Sequence, residues 1–377
     1  MTKHLAVLAL AAVGLAACEQ TQSVTNPTPP LAAALAARAP DAVQDGPGAV
    51  YTLTNQITGN TVVVFRRAAD GTLSAVGSVA TGGTGTGAGL GSQGAVALSA
   101  DNRWLFAVNA GSNDVSVLRV DAETPSLASR TPSGGIGPIS LSVHGQLLYV
   151  LNAGGAGNIT GFTVGPDGAL APIAGSTRAL SGAAVGPAQV AFSPNGRTLV
   201  VTEKTTNRLD VFPVDANGVA GALSSVASAG GTPFGFAFGQ RNLLFVSEAA
   251  GSASSYSLEH GGTLQVVSGA VLTQQAAPCW AVVTEDGRFG YTANARGGSI
   301  SGFAVAPSGA ITLLDANGAT AIVGTGATDL ALSLDSRYLY DLVGRNIVAL
   351  RVEADGHLAT TGTIGGLPAG TVGLAAR

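Results

Sequence analysis

Charge is scarce in this 377-residue chain: Asp, Glu, Lys and Arg together make up 11% of it, against about 25% in ordinary soluble domains. Paired with 46% hydrophobic residues, that scarcity excludes the charge-rich, hydrophobe-poor composition of disordered proteins. A formal net charge of −4 lacks the basic surplus that neutralising phosphates requires, so nucleic acid is not expected as a partner. No unbroken apolar run reaches the roughly 20 residues that a spanning helix needs. Histidines number four and cysteines two, Cys18 and Cys279, which leaves little material for a His-based metal or acid–base site. What abounds is glycine, 54 residues, about twice the usual share.

The first residues read as an address. Lys3 supplies a short positive start, and the apolar stretch Leu5 to Ala17 is 13 residues long and ends in small side chains, the pattern of a secretory signal over residues 1–17. Leu15-Ala16-Ala17-Cys18 resembles the bacterial lipobox, which implies lipidation of Cys18 and exposure to the cell envelope or periplasm. With Cys18 acylated, an intramolecular disulfide to Cys279 is not expected. Residues 18–46 are polar and then Pro- and Ala-rich, without strand alternation, and read as a flexible tether. Glu19 after the lipid site does not look like the aspartate of an inner-membrane retention signal, which favours the outer membrane or the cell surface.

Residues 47–377 repeat. One strand recurs as YTLTN ending at Asn55, LFAVN at Asn109, LYVLN at Asn152, LVVTE at Glu203, LFVSE at Glu248, GYTAN at Asn294 and LYDLV at Val343, at steps of 43 to 54 residues. Each copy is preceded by another strand, as in QVAFSPNGR, and followed by a turn, an alternating strand, a DG-type turn and a fourth strand. Four short strands at a period near 48 residues are the signature of propeller blades, and seven of them account for the domain. The predicted fold is therefore all-β: a seven-bladed β-propeller of four-stranded antiparallel blades. The final residues, LPAGTVGL at 367–374, match the start of a repeat, whereas the first repeat lacks that strand. The C-terminal strand is thus expected to complete the first blade.

The stretches TPFGFAF at 232–238, APCW at 277–280, GRFGYTANARGGSISGF at 287–303 and TDLALSLDSRYLY at 328–340 resemble the bacterial lactonase family of seven-bladed propellers. That family is similar to 6-phosphogluconolactonase and the carboxymuconate cyclases and contains YVTN-like repeats. The resemblance spans residues 47–377 and implies a hydrolase acting on a small lactone or sugar-derived ester. Its enzymatically active members are similar to one another in a Pro-His pair at the start of the innermost strand. The matching positions here read Pro187-Ala188, Pro233-Phe234 and Pro278-Cys279.

Candidate site residues follow from strand ends expected at one channel mouth. Glu203 and Glu248 occupy equivalent positions on adjacent blades, so one of them is a candidate base for water activation. Lys204, Arg296 and the amides of Asn109, Asn152 and Asn294 are candidates for holding substrate and the developing oxyanion, and Trp280 for an aromatic platform. Gln189, Phe234, Cys279 and Asp329 join them at the innermost strands. The alternative role for the polar residues is to cap strand ends. His144, His260 and His357 fall in expected hairpin turns, and the run Gly82 to Gly94 in a long loop of the first repeat. No cofactor is expected; a Ca²⁺ ion in the channel is the remaining alternative. Two functions stay open: an envelope-anchored lactone hydrolase, or a non-catalytic propeller that binds a protein, glycan or small molecule. Either is expected to act as a monomer, tied to the membrane through Cys18.

Overall fold

The computed structural model describes residues 48–377. The signal segment, Cys18 and the tether lie outside the described residues. Seven antiparallel sheets form the domain, which bears out the all-β seven-bladed propeller. Blade 4 shows the plan: Pro187–Phe192 lies innermost, followed outward by Thr198–Glu203, Arg208–Pro213 and Ser224–Ala227. Blades 3 and 6 each add a two-residue strand, Arg178–Ala179 and Ala321–Ile322, on their third strands.

Burial explains why the inner strands do not alternate in the sequence. The second strands, such as Trp104–Asn109 and Leu243–Glu248, are buried at every residue, because both faces of a blade pack on neighbouring blades. An outermost strand such as Ser126–Pro132 is mostly exposed. The hydrophobic clusters accordingly lie between blades: Val50, Val63 and Phe65 of blade 1 pack with Tyr340, Leu342 and Ile347 of blade 7, and Tyr149 and Leu151 of blade 3 pack with Val201 and Phe212 of blade 4.

Two polar devices repeat with the blades. In the hairpin between first and second strands, Ser99, Ser193 and Ser333 give their hydroxyl protons to Asp101, Asn195 and Asp335 at 2.6, 2.8 and 2.6 Å. Each acceptor also takes the backbone N–H of the following Arg103, Arg197 or Arg337. In the hairpin between third and fourth strands, the DG glycine packs against the preceding blade. Tyr340 donates its hydroxyl to the carbonyl of Gly71 at 3.0 Å, and Tyr291 to that of Gly356 at 2.8 Å. Gly71 sits at φ +86°, and a Cβ there would lie 2.1 Å from the Tyr338 ring, so both its conformation and its space demand glycine.

The chain closes the ring as expected. Val372–Ala376 pairs antiparallel with Gly48–Leu53, putting the last strand innermost in the first blade. Deleting residues 366–377 would leave that blade three-stranded and expose the inner faces of blades 1 and 7. We expect the variant to lose its cooperative thermal transition, read by circular dichroism; an unchanged melt would contradict the closure.

Candidate functional site

Antiparallel pairing brings the start of each innermost strand beside the end of its neighbour: Pro187 faces Glu203, Pro233 faces Glu248 and Pro278 faces Asn294. All the proposed site residues therefore sit at one end of the propeller, the end that carries the blade-to-blade loops. What their side chains do there differs from the expectation of a shared cleft.

Glu248 is fully buried and accepts four hydrogen bonds. They come from the Gly230 N–H at 2.8 Å and from the hydroxyls of Ser228, Ser254 and Ser252 at 3.2, 2.6 and 2.5 Å. Glu203 is equally buried and takes the Ser181 N–H at 3.0 Å and the hydroxyls of Ser181 and Thr206 at 2.5 Å each. Each carboxylate thus braces its own blade-to-blade loop. Paired acid–base work by Glu203 and Glu248 needs lone pairs facing substrate, and this geometry assigns them to loop donors.

The asparagines act likewise. Asn109 donates to Asp114 and Ser116 while accepting from Asn60 and Thr81. Asn152 donates to the Ser133 carbonyl and to Asn158, and Asn294 donates to Ser299 and Ser301. All three are fully buried, and their partners lie on the third strand and the loop, away from the channel. Arg296 is exposed in the second-to-third-strand hairpin of blade 6. Of the histidines, His260 and His357 are exposed as expected, but His144 ends the strand Pro138–His144, half-buried, with its ring 5.8 Å from that of Phe192.

Lys204 and Trp280 do come together, and what joins them is the glycine-rich loop. The segment after Gly82 leaves blade 1 and crosses the axial mouth before blade 2 begins at Val96–Leu98. The Trp280 indole N–H donates to the Ser92 carbonyl at 2.9 Å, and the Lys204 ammonium donates to that of Gly91 at 2.6 Å. Gln93 takes the Ala281 N–H at 2.9 Å and donates to the Ala281 carbonyl at 2.7 Å. Ala281 belongs to blade 6, so Gln93 spans the channel. The rings of Phe234 and Trp280 meet edge-on with centroids 4.9 Å apart, and Lys204 lies 5.0 Å from the Phe234 centroid. Cys279, beside them, is fully buried; the other cysteine, Cys18, lies outside the described residues.

Under this loop is a small axial cavity walled by Trp280, Ser92, Thr328, Thr371 and Asp329. Asp329 is the extra residue of the bulge in the innermost strand of blade 7, where the register shifts between Thr328 and Leu330, and it has φ +26°. A positive φ on a non-glycine residue is a strained conformation that persists only where its surroundings enforce it. Its carboxyl accepts the backbone N–H groups of Gly373 and Leu374 on the closing strand, yet burial pushes its pKa up to about 8. Asp341, on the adjoining strand, is fully buried with neither carboxyl oxygen in a well-formed hydrogen bond. Burial and the neighbouring Asp329 hold its pKa well above the usual range. In blade 4, burial and the adjacent Glu203 push Asp210 up to about 7; protonated, Asp210 can donate to Glu203. Among the described residues no group of three or more His, Cys, Asp or Glu side chains is placed to hold a metal.

Residues 50–181, covering blades 1 to 3, match the family profile described as Lactonase, 7-bladed beta-propeller. The fold is shared with a proposed 6-phosphogluconolactonase of Bacteroides fragilis at 18% identity and a TM-score of 0.70, over 89% of this chain and 100% of that one. It is also similar to a proposed 6-phosphogluconolactonase of Bacteroides uniformis at 19% identity and a TM-score of 0.71, over 87% and 99%. The periplasmic gluconolactonase PpgL of Pseudomonas aeruginosa follows at 20% identity and a TM-score of 0.66, over 86% and 98%. No curated protein sequence matches the chain. The protein is a seven-bladed β-propeller that is similar to the lactonase family. Its resemblance to that family holds by sequence over residues 50–181 and by fold over the whole domain.

The buried carboxyls set a pH dependence. Asp329 and Asp210 have folded pKa values, about 8 and about 7, above the ordinary carboxyl value of 3.8. From about pH 4 upward the unfolded chain loses these protons while the folded one keeps them, so stability falls as pH rises and the loss is complete above the folded values. Asp329→Asn and Asp210→Asn should each flatten that decline, at most by about 1.4 kcal/mol per pH unit. Urea unfolding between pH 4.5 and 8.5 checks it; a wild-type profile that rises with pH would contradict the assignment.

Proposed function

We propose that this protein is an envelope-anchored lactone hydrolase whose working group is Asp329 rather than the Glu203 and Glu248 pair. The observation that carries this reading is a coincidence at one place: a strained bulge, a carboxyl with its pKa near 8, an aromatic wall and a cavity on the propeller axis. A base whose pKa lies close to ambient pH combines availability with proton affinity. Asp329 as carboxylate takes a proton from water as the water oxygen attacks the lactone carbonyl. The developing oxyanion is met by the Trp280 N–H and the Lys204 ammonium, which the loop carbonyls of Ser92 and Gly91 occupy in this state. Collapse of the tetrahedral centre breaks the ring C–O bond, and the leaving alkoxide takes the proton back from Asp329. Movement of the segment around Gly91 both admits substrate and exposes the two donors. The substrate class follows the lactonase-type fold and a cavity that offers Trp280 to a sugar or apolar ring. Anchoring follows from the lipobox-like Leu15 to Cys18.

A specific observation favours a second reading, a non-catalytic binding propeller: Gln93 closes the mouth from blade 2 to blade 6. One panel separates the two. Hydrolysis of glucono-1,5-lactone, 6-phosphogluconolactone and γ-butyrolactone is compared for wild type, Asp329→Asn, Glu203→Gln and Glu248→Gln. We expect Asp329→Asn to lose about a hundredfold or more of the rate above background, within the usual range for removing an acid–base group. The properly folded glutamate variants should stay within severalfold of wild type. Rates for wild type equal to spontaneous hydrolysis throughout would sink the hydrolase and leave the binding module.

A further inference from the structure

The two ends of the propeller differ in charge. Every exposed carboxylate among the described residues lies at the end away from the axial mouth, in hairpins joining first to second or third to fourth strands; Asp70, Asp101, Asp167, Asp215, Glu285 and Asp355 are examples. The acids at the mouth end, Asp114, Glu203, Glu248 and Asp329, are all buried. Exposed cations remain there, Arg208 at the start of a third strand and Arg296 in a hairpin, with Arg345 half-buried in the hairpin of blade 7. Among the described residues the mouth end is thus positive at its surface, although the whole chain is negative.

The same end carries exposed aliphatics. Ile57 is 65% exposed in the second-to-third-strand hairpin of blade 1, Ile136 60% in the loop from blade 2 to blade 3, Leu272 60% at the end of the outer strand of blade 5, and Ile322 73% at the corresponding level of blade 6. They stand on hairpins, loops and strand ends of different blades around the ring. A protein partner would call for a continuous apolar patch with a polar rim. Separate aliphatic tips at one end of a ring, interspersed with arginines and, among the described residues, without a single exposed carboxylate, fit a plane that is apolar within and anionic at its surface.

We propose that the mouth end docks face-on against an anionic lipid surface, with Ile57, Ile136, Leu272 and Ile322 entering the headgroup region and Arg208 and Arg296 pairing with lipid phosphates. The chain outside the described residues suits this. The 30 residues 18–47 would reach on the order of 100 Å fully extended, ample to link a lipid at Cys18 to a domain lying on the same membrane. One lipid signal alone binds marginally, and a second, electrostatic and apolar contact makes attachment stable.

The test uses residues 18–377 carrying Cys18→Ser, so that acylation does not mask the contact. It measures cosedimentation with phosphatidylcholine vesicles with and without phosphatidylglycerol. We expect binding that requires phosphatidylglycerol and weakens with added salt. Arg208→Glu with Arg296→Glu should reduce the partition coefficient by about tenfold or more. Ile57→Ser with Ile322→Ser should reduce it at low salt, while Arg103→Glu with Arg197→Glu, at the opposite end, leaves it unchanged. Circular dichroism melts confirm that each variant is folded. No binding, binding indifferent to phosphatidylglycerol, or an equal loss from the Arg103/Arg197 variant would each overturn the proposal, as would a folded protein that binds only a soluble protein partner through this face.

Discussion

Everything in this domain depends on closure of the ring. A single four-stranded blade has two apolar faces and no means of covering either, so each sheet is stable only when it is flanked on both sides. The pairing of Val372–Ala376 with Gly48–Leu53 makes the covering mutual all the way round. It unites the two ends of the domain in one sheet, and it leaves no inner edge open to pairing with another chain. Asp329 adds to the same closure, since the N–H groups that it accepts belong to the closing strand. This perturbed carboxyl near the axis is therefore also a fastener. Its strained backbone is held by the same contacts that seal the ring.

Low charge and high glycine content follow from this architecture. Many of the acidic side chains sit in hairpins, where Asp101 and Asp335 organise tight turns, and others are buried as loop braces such as Glu248. Glycines mark places where one blade touches the next, as at Gly71 and Gly356. The few carboxyls left without donors, Asp210 and Asp341, sit in strands that are otherwise apolar and carry the stability cost of proton retention.

Much of the fold was legible in the sequence because each blade writes nearly the same pattern. The marker strand from Asn55 to Val343 gave the blade count, and the unmatched LPAGTVGL pointed to the closure. The site was less legible. Glu203 and Glu248 stood out as acids at strand ends, but capping and catalysis use the same residue type at the same position, and only the Ser181 and Gly230 amides tell them apart. The reach of Gln93 to Ala281 spans 188 residues of sequence and has no local signature. Asp341 did leave a trace: LYDLV places a carboxyl where the other marker strands carry Leu, Val, Ala or Thr, and the fold sets that carboxyl beside Asp329.

The tie from Gln93 to Ala281 gives the wheel a spoke. A ring held only at its rim can ovalise, with opposite blades drifting apart at the cost of a few side-chain contacts. A strut across the hub couples blade 2 to blade 6, so the mouth does not widen gradually. Either the amide pair at Ala281 holds and the hub stays narrow, or it breaks and the loop lifts as a unit. Access to the axis is then governed by release of this loop from Ala281, Trp280 and Lys204 together rather than by general flexibility of the domain.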